Sequence, residues 1–128
     1  MTDASDRTML RTVHMAVRDL DDAVAFYGDA MGLEVHREGD DRVAIVRLGG
    51  GVRLMLDEAL GEQLTVTPHR SAGAPHAHFH LEVSDAATLK SRLQACGHPI
   101  ESAENPTAGL DIFLTCDPDG HNLEIYSR

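Results

Sequence analysis

A chain of 128 residues with 42% apolar and 25% charged side chains has the size and composition of one globular domain, and it contains no apolar run long enough for a membrane span. Its 21 acidic side chains outnumber 11 basic ones, a formal charge of −10, and the basic residues are scattered, which excludes nucleic acid and anionic membranes as expected partners. Such a balance favours solubility and would tolerate a cationic ligand.

In chain order, residues 1–9 read as a disordered lead-in without the apolar stretch of a secretory signal, so the cytoplasm is the expected compartment. A single domain is expected over 10–128. A short alternating strand runs from His14 to Asp19, followed by a helix with Leu20, Ala23, Val24, Tyr27 and Met31 at helical spacing and Gly32 as its stop. Three strand-like runs come next, Glu34–Glu38, Arg42–Leu48 and Gly51–Leu56, completing a first module at 10–58. Residues 59–76, with Pro68, Ser71, Gly73 and Pro75, read as a connector.

The pattern then repeats in a second module at 77–127. His78 opens an alternating strand to Asp85. Ala86, Leu89, Leu93 and Cys96 mark a helix stopped by Gly97, and strands follow at Ile100–Ser102, Leu110–Cys116 and Asn122–Tyr126. Gly49-Gly50-Gly51 and Asp117-Pro118-Asp119-Gly120 are the matching turns before each module's last strand. The fold class expected is therefore α+β, with two βαβββ modules whose curved mixed sheet surrounds a cleft. Cys96 and Cys116 match no metal or disulfide spacing and read as reduced, partly buried thiols.

Side chains alternate across a strand, so the set beneath the helices must be the apolar one. Val13, Met15 and Val17 are that set in the first strand, leaving His14 on the other face. Phe79, Leu81 and Val83 leave His78, His80 and Glu82 opposite. Leu123 and Ile125 leave Asn122, Glu124 and Tyr126, and Val52, Leu54 and Leu56 leave Arg53, Met55 and Asp57. A polar face in the middle of strands is a candidate binding site. Two imidazoles and a carboxylate suit a divalent Fe, Mn, Zn, Ni or Co ion, and three protein ligands leave positions open for water or substrate.

The run Val13-His14 to Val17-Arg18-Asp19-Leu20, then Phe26-Tyr27 with Gly32-Leu33, and the closing Asp117-Pro118-Asp119-Gly120-His121-Asn122-Leu123-Glu124 resemble the vicinal oxygen chelate superfamily of glyoxalases, extradiol dioxygenases and bleomycin-binding resistance proteins. The resemblance covers Leu10 to Tyr126. It implies a metal held by His14, His78 and Glu124, with the fourth family position at Met55, or at Leu54 or Arg53 if the glycine run shifts the alignment. None of these is a hard-metal ligand, which argues against a glyoxalase I. An acidic Glu104 in the stretch Glu104 to Gly109 would repel a phosphonate, which argues against a fosfomycin thiol transferase.

A metal-dependent lyase, isomerase or dioxygenase acting on a small oxygen-bearing substrate is the first expectation. His80 and Tyr126 are then the candidate catalytic groups, with Arg53 and Met55 lining the substrate. His80 reads equally as a hydrogen-bonding support for the ligands, and Arg53 as an ion-pair partner of Asp57 or Glu82. The alternatives are a protein that sequesters an antibiotic in the same cleft without turnover, or a thiol transferase that inactivates one. The resemblance also implies a homodimer that completes the cleft from two chains.

Overall fold

The computed structural model describes residues 8–37, 41–64, 78–102 and 109–128, with position 78 described by its backbone. The lead-in up to residue 7, Glu38, the connector beyond residue 64 with His69 and His76, and residues 104–108 lie outside them. Strands β1 (Thr12–Ala16), β2 (Glu34–Arg37), β3 (Val43–Arg47) and β4 (Arg53–Asp57) form one four-stranded sheet in the order β1-β4-β3-β2. The second sheet has the order β5-β8-β7-β6, from β5 (His78–Glu82), β6 (Glu101–Ser102), β7 (Asp111–Cys116) and β8 (Asn122–Ser127). In each, the first strand runs parallel to the last and the remaining pairs are antiparallel. Two mixed sheets built by the same rule are the α+β repeat that the sequence pattern expects.

The first helix of each module begins on an aspartate cap. The Asp19 side chain accepts from the Asp22 amide at 3.1 Å to start α1 (Leu20–Val24), and Asp85 accepts from the Thr88 amide at 3.0 Å to start α3 (Ala86–Ala95). Helix α1 widens into a π-helical turn over Ala25–Ala30, which buries the adjacent Phe26 and Tyr27 together, a departure from the plain helix that the spacing suggests. The last strand of the first module starts at Arg53 and not at Gly51. Gly49–Gly51 coil into a 3₁₀ turn in which Gly50 and Gly51 take φ of 73° and 78°.

The segment read as a connector opens as a helix, α2 (Glu58–Leu64). One Asp57 carboxylate oxygen accepts from the Leu60 amide at 3.0 Å, and Glu58 accepts from the Leu20 amide at 2.7 Å and from Arg42 at 3.0 Å. A Cβ on Gly61 would stand 1.8 Å from the Val17 carbonyl oxygen, so glycine is what lets α2 lie against the end of β1. The signals that mark a connector, Pro68, Ser71, Gly73 and Pro75, all lie beyond this helix in the sequence, which is why the helix was not expected.

A single apolar cluster joins the modules, with Met15, Val17, Leu54 and Leu56 contributed by one and Phe113, Leu123 and Ile125 by the other. All of these but Phe113, on a strand that the alternation did not sort, are residues assigned to the helix side. Neither Cys96 nor Cys116 is in a disulfide; Cys116 is buried, but Cys96, expected to be partly buried, is exposed because it lies at the open end of α3. No helix among the described residues is long and apolar enough to cross a membrane.

Polar contacts lock the modules across that core. The buried Tyr27 hydroxyl donates to Asp117 Oδ2 at 2.7 Å, and His121 Nδ1 lies 2.7 Å from the same oxygen. Asp117 Oδ1 accepts the amides of Asp119 and His121 at 3.0 and 2.9 Å, which holds the Asp117–Gly120 turn. Arg18 donates its amide and its Nε to Asp119 Oδ1 at 2.8 and 3.2 Å, while Asp119 Oδ2 is buried without a partner among the described residues. Burial pushes the Asp119 carboxyl above its ordinary range, opposed by the Arg18 hydrogen bonds. Burial works against charging His121, but the hydrogen bond and charge of Asp117 outweigh it and raise the imidazole pKa above 6.5.

Tyr27→Phe removes the buried donor from a carboxylate that keeps its other partners, and is expected to lower unfolding free energy by about 1–3 kcal/mol in denaturant titration. Because the folded-state pKa of His121 lies above 6.5, its contribution is complete below that pH and is lost as pH rises through the folded value. His98, whose pKa is lowered by burial, acts in the window below 6.5 and with the opposite sign. The thermal stability advantage of the natural chain over His121→Gln should therefore shrink steadily from pH 6.5 upward; a difference independent of pH would be inconsistent with the Asp117 pairing.

Candidate functional site

On each sheet, the face turned away from the helices carries an imidazole–carboxylate contact. On β1, His14 Nε2 lies 2.8 Å from Asp57 Oδ2. Asp57 thus caps α2 with one oxygen and meets His14 with the other, and the Leu60 amide is the main reason its carboxyl sits below the ordinary range, with His14 adding to the effect. On β5, His80 Nδ1 lies 3.0 Å from Glu124 Oε2, a contact fixed by the register in which His80 pairs with Glu124. Tyr126 donates its hydroxyl to Glu82 at 3.2 Å.

His14 and Glu124 therefore belong to different sheets, each engaged by a partner within its own sheet. Position 78 is in register with Asn122, one pleat repeat from the His80–Glu124 pair. Met55 is the register partner of His14. Arg53 donates to Thr12 Oγ1 at 3.1 Å, and the expected pairing with Asp57 or Glu82 is not made, because Asp57 is taken by His14 and Glu82 by Tyr126 and Arg128.

The capping aspartates give a common origin for comparing the modules. His14 stands five residues before Asp19, and five residues before Asp85 stands His80. His78 is seven residues before Asp85, and its counterpart seven before Asp19 is Thr12. Strand pairing agrees: His14 pairs with Met55 as His80 pairs with Glu124, and Thr12 with Arg53 as position 78 with Asn122. Matching the repeats on their leading histidines was off by one pleat, because a two-residue slip keeps every side chain on its face and so leaves the hydrophobic pattern unchanged. Counting back from the two aspartates in the sequence would have revealed it. The same count reveals Asp57, assigned above only as a possible partner for Arg53, as the counterpart of Tyr126.

Among the described residues, the one trio of metal-capable groups within mutual reach is Asp117, Asp119 and His121. Most of its donor atoms serve Tyr27, Arg18 and the turn amides. The imidazole and carboxylate groups of His14, His78 and Glu124 fit a borderline divalent ion in chemistry. The Asp57 contact fits too, since a ligating histidine is commonly oriented through its second nitrogen by a carboxylate.

Residues 8–125 match the model of the Glyoxalase/Bleomycin resistance protein/Dioxygenase superfamily. The chain is 26% identical over 128 residues to a catechol-2,3-dioxygenase of Bacillus subtilis, with 99% of the chain aligned to 44% of that protein, so it spans under half of this relative. It is 28% identical over 117 residues to the glutathione transferase FosA of Serratia marcescens, covering 91% of the chain and 79% of the relative. Among solved structures, TnmS3, an antibiotic binding protein from Streptomyces sp. CB03234, shares the fold with a TM-score of 0.66 at 22% identity, over 94% of this chain and 95% of that one. With a two-module sheet repeat and a family match over nearly its whole length, the chain belongs to the glyoxalase/bleomycin resistance protein/dioxygenase superfamily.

Proposed function

We propose that the protein is a metal-dependent enzyme of lyase, isomerase or dioxygenase type, acting on a small oxygen-bearing substrate in the cleft lined by the polar faces of its sheets. The observation that carries this reading is the pair of imidazole–carboxylate contacts, His14–Asp57 and His80–Glu124, on the faces turned from the core. Burying neither pair beneath the helices keeps both accessible to a ligand. In this reading His14, His78 and Glu124 hold a divalent ion, Fe, Mn, Zn, Ni or Co. When bound, the ion supplies Lewis-acid polarisation of the substrate's adjacent oxygens.

The chain's own groups have distinct tasks. Asp57 orients the His14 ring, and His80 at 3.0 Å orients the Glu124 carboxylate and stands ready to exchange a proton. The Tyr126 hydroxyl, now donating to Glu82, is a second proton donor on the same face, while Arg53 and Met55 line the module-one side. Since His14 and Glu124 lie on separate sheets, the reading includes a homodimer that brings the first module of one chain to the second module of its partner.

A second reading, sequestration of an antibiotic without turnover, is favoured by one observation. Module one holds Thr12 and Met55 where module two holds His78 and Glu124, so it lacks the equivalent ligand pair. Metal analysis of the purified protein separates the two. The enzyme reading expects roughly one ion per chain, with affinity at least about tenfold weaker in His78→Ala and in His14→Ala. Metal retained in His14→Ala but lost in His78→Ala would remove His14 from the ligand set and leave the His14–Asp57 pair as a proton-transfer unit. Equal, near-zero metal in the natural chain and in His78→Ala would establish the sequestering reading instead.

A further inference from the structure

A pocket of about 430 Å³ lies at the start of β1, lined by Arg11, Arg47 and Arg53 with Glu34, the apolar Leu48 and Val52, and Gly51. In a chain of net charge −10 with 11 basic residues, this is an unusual concentration of guanidinium groups. Arg47 and Arg53 are direct cross-strand partners on β3 and β4, and like charges placed opposite one another destabilise a sheet. Their repulsion is poorly relieved among the described residues. Among the described residues, Arg53 has only the Thr12 hydroxyl, Arg11 has no carboxylate, and Arg47 has Glu34 at 3.8 Å, a contact exposed on both sides. The turn at Gly49–Gly51 leaves the rim open: a Cβ on Gly49 or Gly50 would meet nothing within 4 Å.

We propose that this pocket binds the anionic group, carboxylate or phosphate, of a small organic molecule. Arg53 is held in place by Thr12, Arg47 faces it across the strand pair, and Arg11 lies over Gly51, so three donors border one opening. An anion there would cancel the cross-strand repulsion and displace Glu34 from Arg47. The Thr12–Arg53–Arg47 row is one pleat repeat from the His14–Met55–Ile45 row, on the same face, so the bound anion would be anchored beside the His14–Asp57 pair with the rest of the molecule extending toward it. The inference rests on the reading of Arg53 as a substrate contact. Its measurement is anion binding and not metal content, so either can fail alone.

The test is calorimetric titration of the purified full chain with inorganic phosphate and with benzoate, both against chloride at matched ionic strength. Saturable binding of either anion is expected, weakened at least tenfold in Arg53→Gln and in Arg47→Gln, whose thermal unfolding reports that they remain folded. Binding of phosphate alone assigns the pocket to a phosphate-bearing ligand, and binding of benzoate alone to a carboxylate. Absence of saturable binding for both anions, or binding unchanged in both folded variants, would overturn the proposal.

Discussion

The buried Asp117 carboxylate is the interaction on which the two-module architecture depends. It lies in the turn between the last two strands of module two, yet one oxygen is shared by Tyr27 from the π-helical turn of module one and His121, and the other by two amides of its own turn. A buried carboxylate is costly unless nearly all of its lone pairs are used, and here four donors use them. Beside it, Asp119 accepts the amide and guanidinium of Arg18, the residue that follows the β1 strand on its way into α1. The end of the first strand of one module is thereby tied to the final turn of the other, which sets where the polar faces lie relative to the shared core.

That arrangement leaves the polar faces free to diverge. Beneath the helices both modules obey the same rule, with large apolar side chains closing a single cluster. On the opposite faces the matched positions differ: His14 corresponds to His80, but Met55 corresponds to Glu124, Thr12 to position 78, and Asp57 to Tyr126. A duplicated scaffold with unequal faces can hold a ligand asymmetrically, since one module carries the His80–Glu124 contact and the other the His14–Asp57 contact beside a cross-strand pair of arginines. The chain's relatives include a dioxygenase and a transferase, and an antibiotic-binding structure shares the fold, so a common framework is differentiated through such face positions.

Electrostatics divide along the same lines. The net negative charge is spread over helix starts and turns, where Asp19, Asp57 and Asp85 cap helices and Asp117 and Asp119 close the lock. Positive charge is concentrated at the opposite end of the first sheet, where Arg47 and Arg53 face each other. Many of the acidic residues thus have structural tasks, and the overall charge is a poor guide to what the cleft prefers.

The sequence by itself determined the duplicated βαβββ plan, the core-facing residues and the faces on which His14, His80 and Glu124 lie. Strand alternation and helix caps are local rules that a chain cannot break without exposing apolar surface or unpaired amides. Tertiary structure alone decided the rest. The start of the connector became α2 because Gly61 fits against the Val17 carbonyl. Asp57 became the carboxylate partner of His14, and Arg53 turned to Thr12. These outcomes depend on strand register and on distances between residues more than forty positions apart, and a two-residue slip that preserves every face leaves no trace in hydrophobic periodicity.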